Sequence, residues 1–518
     1  MIWVQLALSG VAVGSIYALA GMGVVLTYKA TGVFNFAHGA IAVLAAYVYW
    51  QLAGETSDGG WGWPVGLAAL VVVFVLGPLL GALLEVVVFR PLHRSGASTT
   101  EKLVATVGAF VLVIGVVVAV WTFEVRQVPS LFGTRPLQIA SDLVIGIDQL
   151  MTVVVAAAVC VGIWALFRFT PLGTEIRAVV DRRELAELAA VNADRVSALA
   201  WMMGTTLSAL TGVLLAAQSV TLNPYGLTLL VVETFSIAVV ARLTSLPVAV
   251  GAGVLLLGVG GSLLADPRVS LLGGQGFLGE TFDDIKPNLS VVLLFGALLL
   301  YRRLDAPDDE RPVVAARPAG SPRQTVGLAA TSALVLVALP FVLDLSGFAY
   351  AHRMLAMIVI FASIVAVTGF AGQLTLGQTG FAGLGGFVTA RLVNTFDLPV
   401  VVAMVGGGLV AMLAGLLVGY PAVRRRGLFL GLTTLAVALL LSRFVFENDR
   451  FAGGSVGLQL DRPSLFGWDL SGDRAFYFFE LAVMGLALLL TRNLRTGRLG
   501  RALAAMRDSE VGARSVGL

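Results

Sequence analysis

Apolar residues run along this chain in blocks of about twenty, separated by short joints that hold most of its charge. A block of that length, wound at ~1.5 Å per residue, crosses a ~30 Å hydrocarbon core as an α-helix. The pattern predicts spans near 3–27, 33–53, 64–89, 103–122, 148–168, 197–220, 227–241, 246–265 and 288–301. After a polar interval it predicts others near 326–345, 353–370, 374–395, 399–421, 427–446 and 475–491, about 15 spanning or re-entrant helices in all. The run 227–241 is short and holds Glu233, so it either spans or re-enters.

The joints differ in sign. Arg90, Arg94 and Lys102 share one, and Arg168, Arg177, Arg182, Arg183 and Arg195 share another. Arg302, Arg303, Arg311, Arg317 and Arg323 fill a third, Arg424, Arg425 and Arg426 form a triplet, and six Arg lie between Arg492 and Arg514. Placing these joints in the cytoplasm makes every intervening span alternate and leaves the N-terminus outside. The opposite joints fit an exterior position: 447–474 carries five acids against three Arg, and 266–287 four acids against two basic residues.

Composition narrows the class. Of 518 residues 58% are hydrophobic and 13% charged, where a soluble protein carries about 25% charged. The 60 glycines suit close packing of membrane helices. The fold class is an all-α polytopic membrane protein. Its net charge of +3 comes mostly from loop Arg and reads as topology control, not nucleic-acid binding. The single cysteine, Cys160, excludes an intrachain disulfide. The first run has no basic n-region or small-residue cleavage site, so it reads as a retained helix and not a signal peptide.

The polar interval 304–324, with prolines at 307, 312, 318 and 322, reads as a flexible cytoplasmic linker between a first half, 1–303, and a second, 325–518. Two features recur across it. Gly32-VFNFAHGAIAVLAAYV opens a span in the first half, and Gly372-QLTLGQTGFAGLGGFV opens one 340 residues later. Polar loops begin at Gly173 and Gly500, 327 apart, each after a long exterior loop and one further span. They share Gly173/Gly500, Ala178/Ala505, Asp181/Asp508 and Ala186/Ala513. Both members of each pair fall on the cytoplasmic side, so the repeat is parallel.

No hydrolytic or redox constellation is present. The three histidines, His38, His93 and His352, are not at metal-ligand spacing, no P-loop occurs, and no cofactor is expected. Uphill transport would draw its energy from a partner or an ion gradient. In the first polar loop Glu175, Asp181 and Glu184 alternate with Arg177, Arg182 and Arg183 on a short amphipathic helix after Pro171 and Gly173. Such a helix either seats in a cleft of a soluble partner and transmits displacement, or merely solvates a retained loop. Asn35, His38 and Gly39, with Thr375, Gln378 and Thr379 in the second half, are polar or small residues at interrupted helix starts. They either line a solute path or serve backbone groups freed at a broken helix. Glu85, beside Arg90 near a span end, reads as an interfacial pair.

These residues also carry a resemblance. GSIYALAGMGVVLTY followed by GVFNFAHGAIAVLAAY resembles the start of the H-type permease subunit of branched-chain amino acid ABC importers. GFAGQLTLGQTGFAGLGGFVTA, RRRGLFLGLTTLAVALLLSR, AGGSVGL and LGRALAAMRDSEVGARSVGL resemble the M-type subunit. The chain is similar to a fusion of the two, with a type II importer-like fold. The resemblance implies a permease for branched-chain or related small amino acids in the bacterial inner membrane, served by two cytoplasmic ABC ATPase subunits and an extracytoplasmic solute-binding protein. Membrane lipid surrounds it. Related permeases for urea and short amides share the motifs, and an ion-coupled carrier is the rival class. The ATPase-contacting role carries over to Gly173, Arg177, Asp181 and Glu184, and to Gly500, Arg501, Asp508 and Glu510. Two departures stand out: Ala241-Arg242-Leu243-Thr244-Ser245 replaces a usual Gly-Gly-x-Gly-Ser turn, and Glu233 a usual Lys. The resemblance further implies that the M-type half continues past Leu518.

Overall fold

The computed structural model describes residues 2–517 except 123, 134, 141–142, 182, 220, 224–229, 271–275, 302–321, 423–426, 449–450, 452–457 and 466–467. The chain packs as two compact units, Met1–Arg303 and Leu304–Leu518. The expected linker lies almost wholly outside the described residues, as do the Arg424–Arg426 triplet and the glycines at 453, 454 and 457. Pro322 opens a helix that runs to Ala338.

Among the described residues ten helices are long and apolar enough to cross a membrane. In the first unit they are Ile2–Thr31, Val65–Arg94, Thr99–Trp121, Ile147–Phe169, Ala193–Gln218 and Leu246–Leu264. In the second they are Leu345–Phe370, Val400–Tyr420, Leu428–Phe446 and Asp473–Thr496. The other expected spans differ in length or polarity. His38–Ala53 has 16 residues, Leu230–Val240 has 11 and Leu289–Leu300 has 12. The expected span 326–345 is the short helix Val326–Phe341, and 374–395 is Gln378–Phe396, which carries several polar residues. A helix of 11 residues covers ~16 Å, about half the hydrocarbon core.

The first unit is organised around Ile2–Thr31, the most buried of the long helices. Small residues let its neighbours reach its backbone. A Cβ on Gly10 would lie 2.7 Å from the Gly258 carbonyl oxygen, and one on Gly14 2.8 Å from that of Gly253. On another face Gly204 abuts Thr27, whose hydroxyl donates to the Gly23 carbonyl at 2.9 Å. That bond removes a polar group from the helix–helix contact without recruiting a partner helix.

Two sets of joints gather on opposite faces of this unit. On one, Asp194 lies 3.7 Å from Arg90 and 3.4 Å from Arg94, while Ala30 packs against Ile176 and Val179. On the other, strands Arg126–Gln127 and Thr221–Leu222 pair antiparallel, and Trp121 donates to Gln51 at 2.8 Å. A hairpin of Pro136–Ala140 with Leu143–Gly146 sits there too. The Gln5 amide donates to the Val144 carbonyl and accepts from the Val144 N–H at 3.0 Å. The two described basic joints, around Arg90 and around Arg177, therefore share one face, as alternation of the spans requires.

The second unit repeats the plan. A short hairpin, Ser464–Leu465 with Trp468–Asp469, precedes Asp473–Thr496. Asn394 donates to the Gln459 carbonyl at 2.9 Å, and Arg462 pairs with Asp473 at 2.5 Å. His352 Nδ1 lies 2.6 Å from Glu480 Oε2, and the Tyr477 hydroxyl donates to the Leu336 carbonyl at 2.8 Å.

Candidate functional site

The twin polar loops fold alike. The first forms Pro171–Asp181, 11 residues, then Arg183–Leu188, 6 residues. The second forms Arg498–Asp508, 11 residues, then Glu510–Ser515, 6 residues. All four boundaries differ by the same 327 positions that separate Gly173 from Gly500. Each pair follows an extended residue, Thr170 in the first and Gly497 in the second, so the chain turns sharply out of the preceding span. The glycines explain how the loop helix folds back so closely. A Cβ on Gly173 would collide with the Phe167 carbonyl oxygen, and one on Gly500 with that of Leu494, each six residues upstream. Backbone cannot yield as a flexible side chain does, so both positions require glycine. Pro171 suits the first helical position because no N–H partner is needed there. After the loop, Asn192 accepts from Arg195 N–H at 3.0 Å and caps Ala193–Ser219.

Arg177 is exposed, 3.3 Å from the Thr174 hydroxyl. Arg501 is exposed and donates to the Thr496 carbonyl at 2.9 Å, and exposed Asp508 pairs with Arg507 at 3.0 Å. The side chains of Asp181, Glu184 and Glu510 lie outside the described residues. Each loop helix abuts the end of its unit's first long span. In the first unit Ile176 and Val179 pack on Ala30; in the second the Arg507 guanidinium donates to the Gly369 carbonyl at 2.7 Å.

Just beyond those contacts lie the helix starts. Gly32 and Gly372 both have φ of +68°, a left-handed conformation that glycine adopts without penalty. The chain then runs non-helically and re-enters a helix at His38 and at Gln378, 340 positions apart. The starts differ in surroundings. Asn35 and His38 are fully buried, and neither polar atom of the Asn35 amide nor either ring nitrogen of His38 has a protein hydrogen-bond partner. Gly39 is buried beneath Val231. Thr375 is buried, Gln378 half-buried and Thr379 exposed. The N–H of Leu376 is held by the Thr434 hydroxyl at 2.9 Å.

Several supports were not visible in the spacing. The Ser208 hydroxyl donates to the His38 carbonyl, and the Phe34 and Phe36 rings meet Phe235 tilted and edge-on, with centroids 4.9 and 5.1 Å away. Arg90 pairs with Asp194, while Glu85 is buried within its helix. The Ala241–Ser245 turn holds Arg242 and Leu243 at φ of +53° and +58°. The Arg242 guanidinium lies 4.4 Å from the Tyr301 ring, whose hydroxyl donates to the Val240 carbonyl at 2.9 Å. Only side chain and ring contacts across sixty residues reveal why non-glycine residues hold there. Among the described residues no group of three His, Cys, Asp or Glu is placed to hold a metal ion.

A family profile described as branched-chain amino acid transport system / permease component matches residues 6–300 and 347–518. The high-affinity branched-chain amino acid transport system permease protein LivH of Escherichia coli (strain K12) is 28% identical over 306 residues, 58% of this chain and 93% of LivH. BraD of Pseudomonas aeruginosa, with the same description, is 28% identical over 309 residues, 58% of this chain and 92% of BraD. LivM of Salmonella typhimurium (strain LT2) is 28% identical over 209 residues, 36% of this chain and 49% of LivM, so the chain spans about half of that relative. No solved structure matches.

Proposed function

The chain belongs to the family of branched-chain amino acid transport system permease components, multi-pass membrane transport subunits, and from that premise we propose that it is the permease of an ATP-driven importer of branched-chain amino acids. LivH matches 58% of it and LivM 36%, and the family profile matches both 6–300 and 347–518, which supports a fusion of both. The N-terminus lies outside the bacterial inner membrane. Two cytoplasmic ABC ATPase subunits engage the loop helices, and an extracytoplasmic binding protein delivers the solute.

The observation that carries this reading is the shared register of the two loop-helix pairs, each seated beside a left-handed glycine. Short helices move as rigid elements. ATPase motion displaces Pro171–Asp181 and Arg498–Asp508 through Gly173, Arg177, Asp181 and Glu184, and through Gly500, Arg501, Asp508 and Glu510. The displacement reaches Gly32 and Gly372, whose torsional freedom lets the following segments shift. A buried polar atom without a partner costs roughly 1–3 kcal/mol. Asn35 and His38 therefore gain when a hydrogen-bonding solute or water reaches them beside Gly39, and Thr375, Gln378 and Thr379 are the path residues at the matching start of the second unit.

Reconstitution with the ATPases and binding protein tests the assignment. Arg177→Ala with Glu184→Ala should cut ATP-dependent leucine uptake at least ten-fold (~1.4 kcal/mol of coupling), with membrane insertion and ATP hydrolysis retained. Unchanged uptake would overturn the coupling role. Uptake driven by an ion gradient in ATP-free vesicles would establish a secondary carrier instead.

A further inference from the structure

The second unit has a basic pocket at the end of its spans, whose lining shares Gly500 and Arg501 with the loop helix and adds Arg495 and Phe370. It encloses about 430 Å³ and is lined by Gly369, Phe370, Arg495, Gly500, Arg501 and Arg507. We propose that this pocket binds the phosphate of an anionic membrane lipid.

Three arginines converge on it. The Arg495 guanidinium lies 6.0 Å from the Phe370 ring, Arg501 donates to the Thr496 carbonyl, and Arg507 donates to the Gly369 carbonyl. The Arg501 bond fixes its guanidinium and leaves further N–H donors, whereas Arg507 already engages Asp508 through Nε and Nη2 and Gly369 through Nη1. Asp508 balances Arg507 at 3.0 Å, whereas Arg495 and Arg501 have no acidic partner among the described residues. The pocket thus keeps an excess of positive charge, in the planar forks that match phosphate oxygens.

Its position favours a lipid over a soluble anion. Leu345–Phe370 and Asp473–Thr496 both end here, at the boundary of hydrocarbon and water. Exposed Phe361 and Val365 precede Gly369 by eight and four residues and so lie on one helix face with it. Exposed Leu488 precedes Arg495 by seven, two turns along its helix. A headgroup held by the arginines would lay its acyl chains along those faces, as basic pockets between membrane helices do. The site belongs to the second unit: Thr174 and Val180 stand where it has Arg501 and Arg507. Arg495 has no part in the coupling reading, so Arg495→Gln lets the two proposals fail separately.

The test is thermal unfolding of the full chain in neutral detergent, titrated with phosphatidylglycerol, phosphatidylcholine or inorganic phosphate. Phosphatidylglycerol should raise the melting temperature, and the other two should not. Each arginine near the surface contributes about a five-fold change in affinity, so Arg495→Gln with Arg507→Gln should weaken the effect roughly 30-fold. Arg495→Gln alone removes no hydrogen bond and should weaken protection about five-fold, which covers the case of a double variant that does not fold. Equal protection by phosphatidylcholine, or undiminished protection in Arg495→Gln, would overturn the site. Protection by inorganic phosphate equal to that by phosphatidylglycerol would overturn the lipid and leave a free-anion site.

Discussion

The two loop helices have the same length, the same entry glycine and the same following break, yet their apolar faces meet different surroundings. Ile176 and Val179 are 2% and 7% exposed, packed against Ala30, Ala193, Val196 and Ala200. At the matching positions of the second helix Leu503 is half-buried and Met506 is 44% exposed, and Leu499, opposite half-buried Leu172, is 69% exposed. The covering side chains in the first unit come mainly from Ala193–Ser219, the helix next in sequence. The described residues of the second unit hold no counterpart to it. Local sequence thus sets the shape of a loop helix, and its anchorage comes from elsewhere: a hydrophobic cluster in one case, an arginine on a helix-end carbonyl in the other.

The largest effect should be common to both copies. Gly173→Val and Gly500→Val each force a side chain into a carbonyl oxygen and should cost roughly 3 kcal/mol or more, read as a drop in melting temperature. Tolerance at one position alone would break the equivalence. Val179→Ala should then cost roughly 1–3 kcal/mol, whereas Met506→Ala at the matching position should stay within ~0.5 kcal/mol. Equal losses would mean that the second face is covered after all. Asp194→Asn, which removes the ties to Arg90 and Arg94 in the first unit only, should cost under ~1 kcal/mol, since the group is about one-third exposed.

The smallest effect is one of pH. Asp344 accepts from the Ser346 hydroxyl at 2.8 Å and from Gly347 N–H at 2.9 Å, and these bonds hold its carboxyl below the usual range. Val4 occupies the matching place in the first unit. Because the folded value lies below the unfolded one, the stabilisation is complete above the unfolded value near ~4 and is lost as pH falls through the folded value. Asp344→Asn should remove that part of the acid-induced decline in melting temperature and leave neutral pH almost unchanged. A wild-type acid decline in the variant would sink the assignment.

Much of the architecture was legible in the sequence because its cause is local. Blocks of apolar residues forecast the long helices, and the spacing from Gly173 to Gly500 recurs in the ends of four loop helices. The restart of helix at His38 and Gln378 was legible only in part. Gly32 and Gly372 marked an interruption, but residues 33–37 are as apolar as the helix that follows, and nothing in their order says that they run non-helically. The neighbours of the 34–39 segment were illegible for a different reason. Ser208, Val231 and Phe235 lie about two hundred residues away, and single-sequence periodicity carries no record of such meetings. The same applies to Arg507, which as one Arg among six in the final joint gave no sign that it would grip Gly369.

Gln5 has a consequence for how other chains can approach. Its side-chain amide offers one donor and one acceptor to Val144, the two bonds a neighbouring strand would make at that rung. An open strand edge is a template for pairing with another polypeptide. Here the molecule's own first helix blocks that template with a single side chain. A protein arriving on this face cannot extend the hairpin by strand addition at Val144, and must be recognised there through side chains and surface shape.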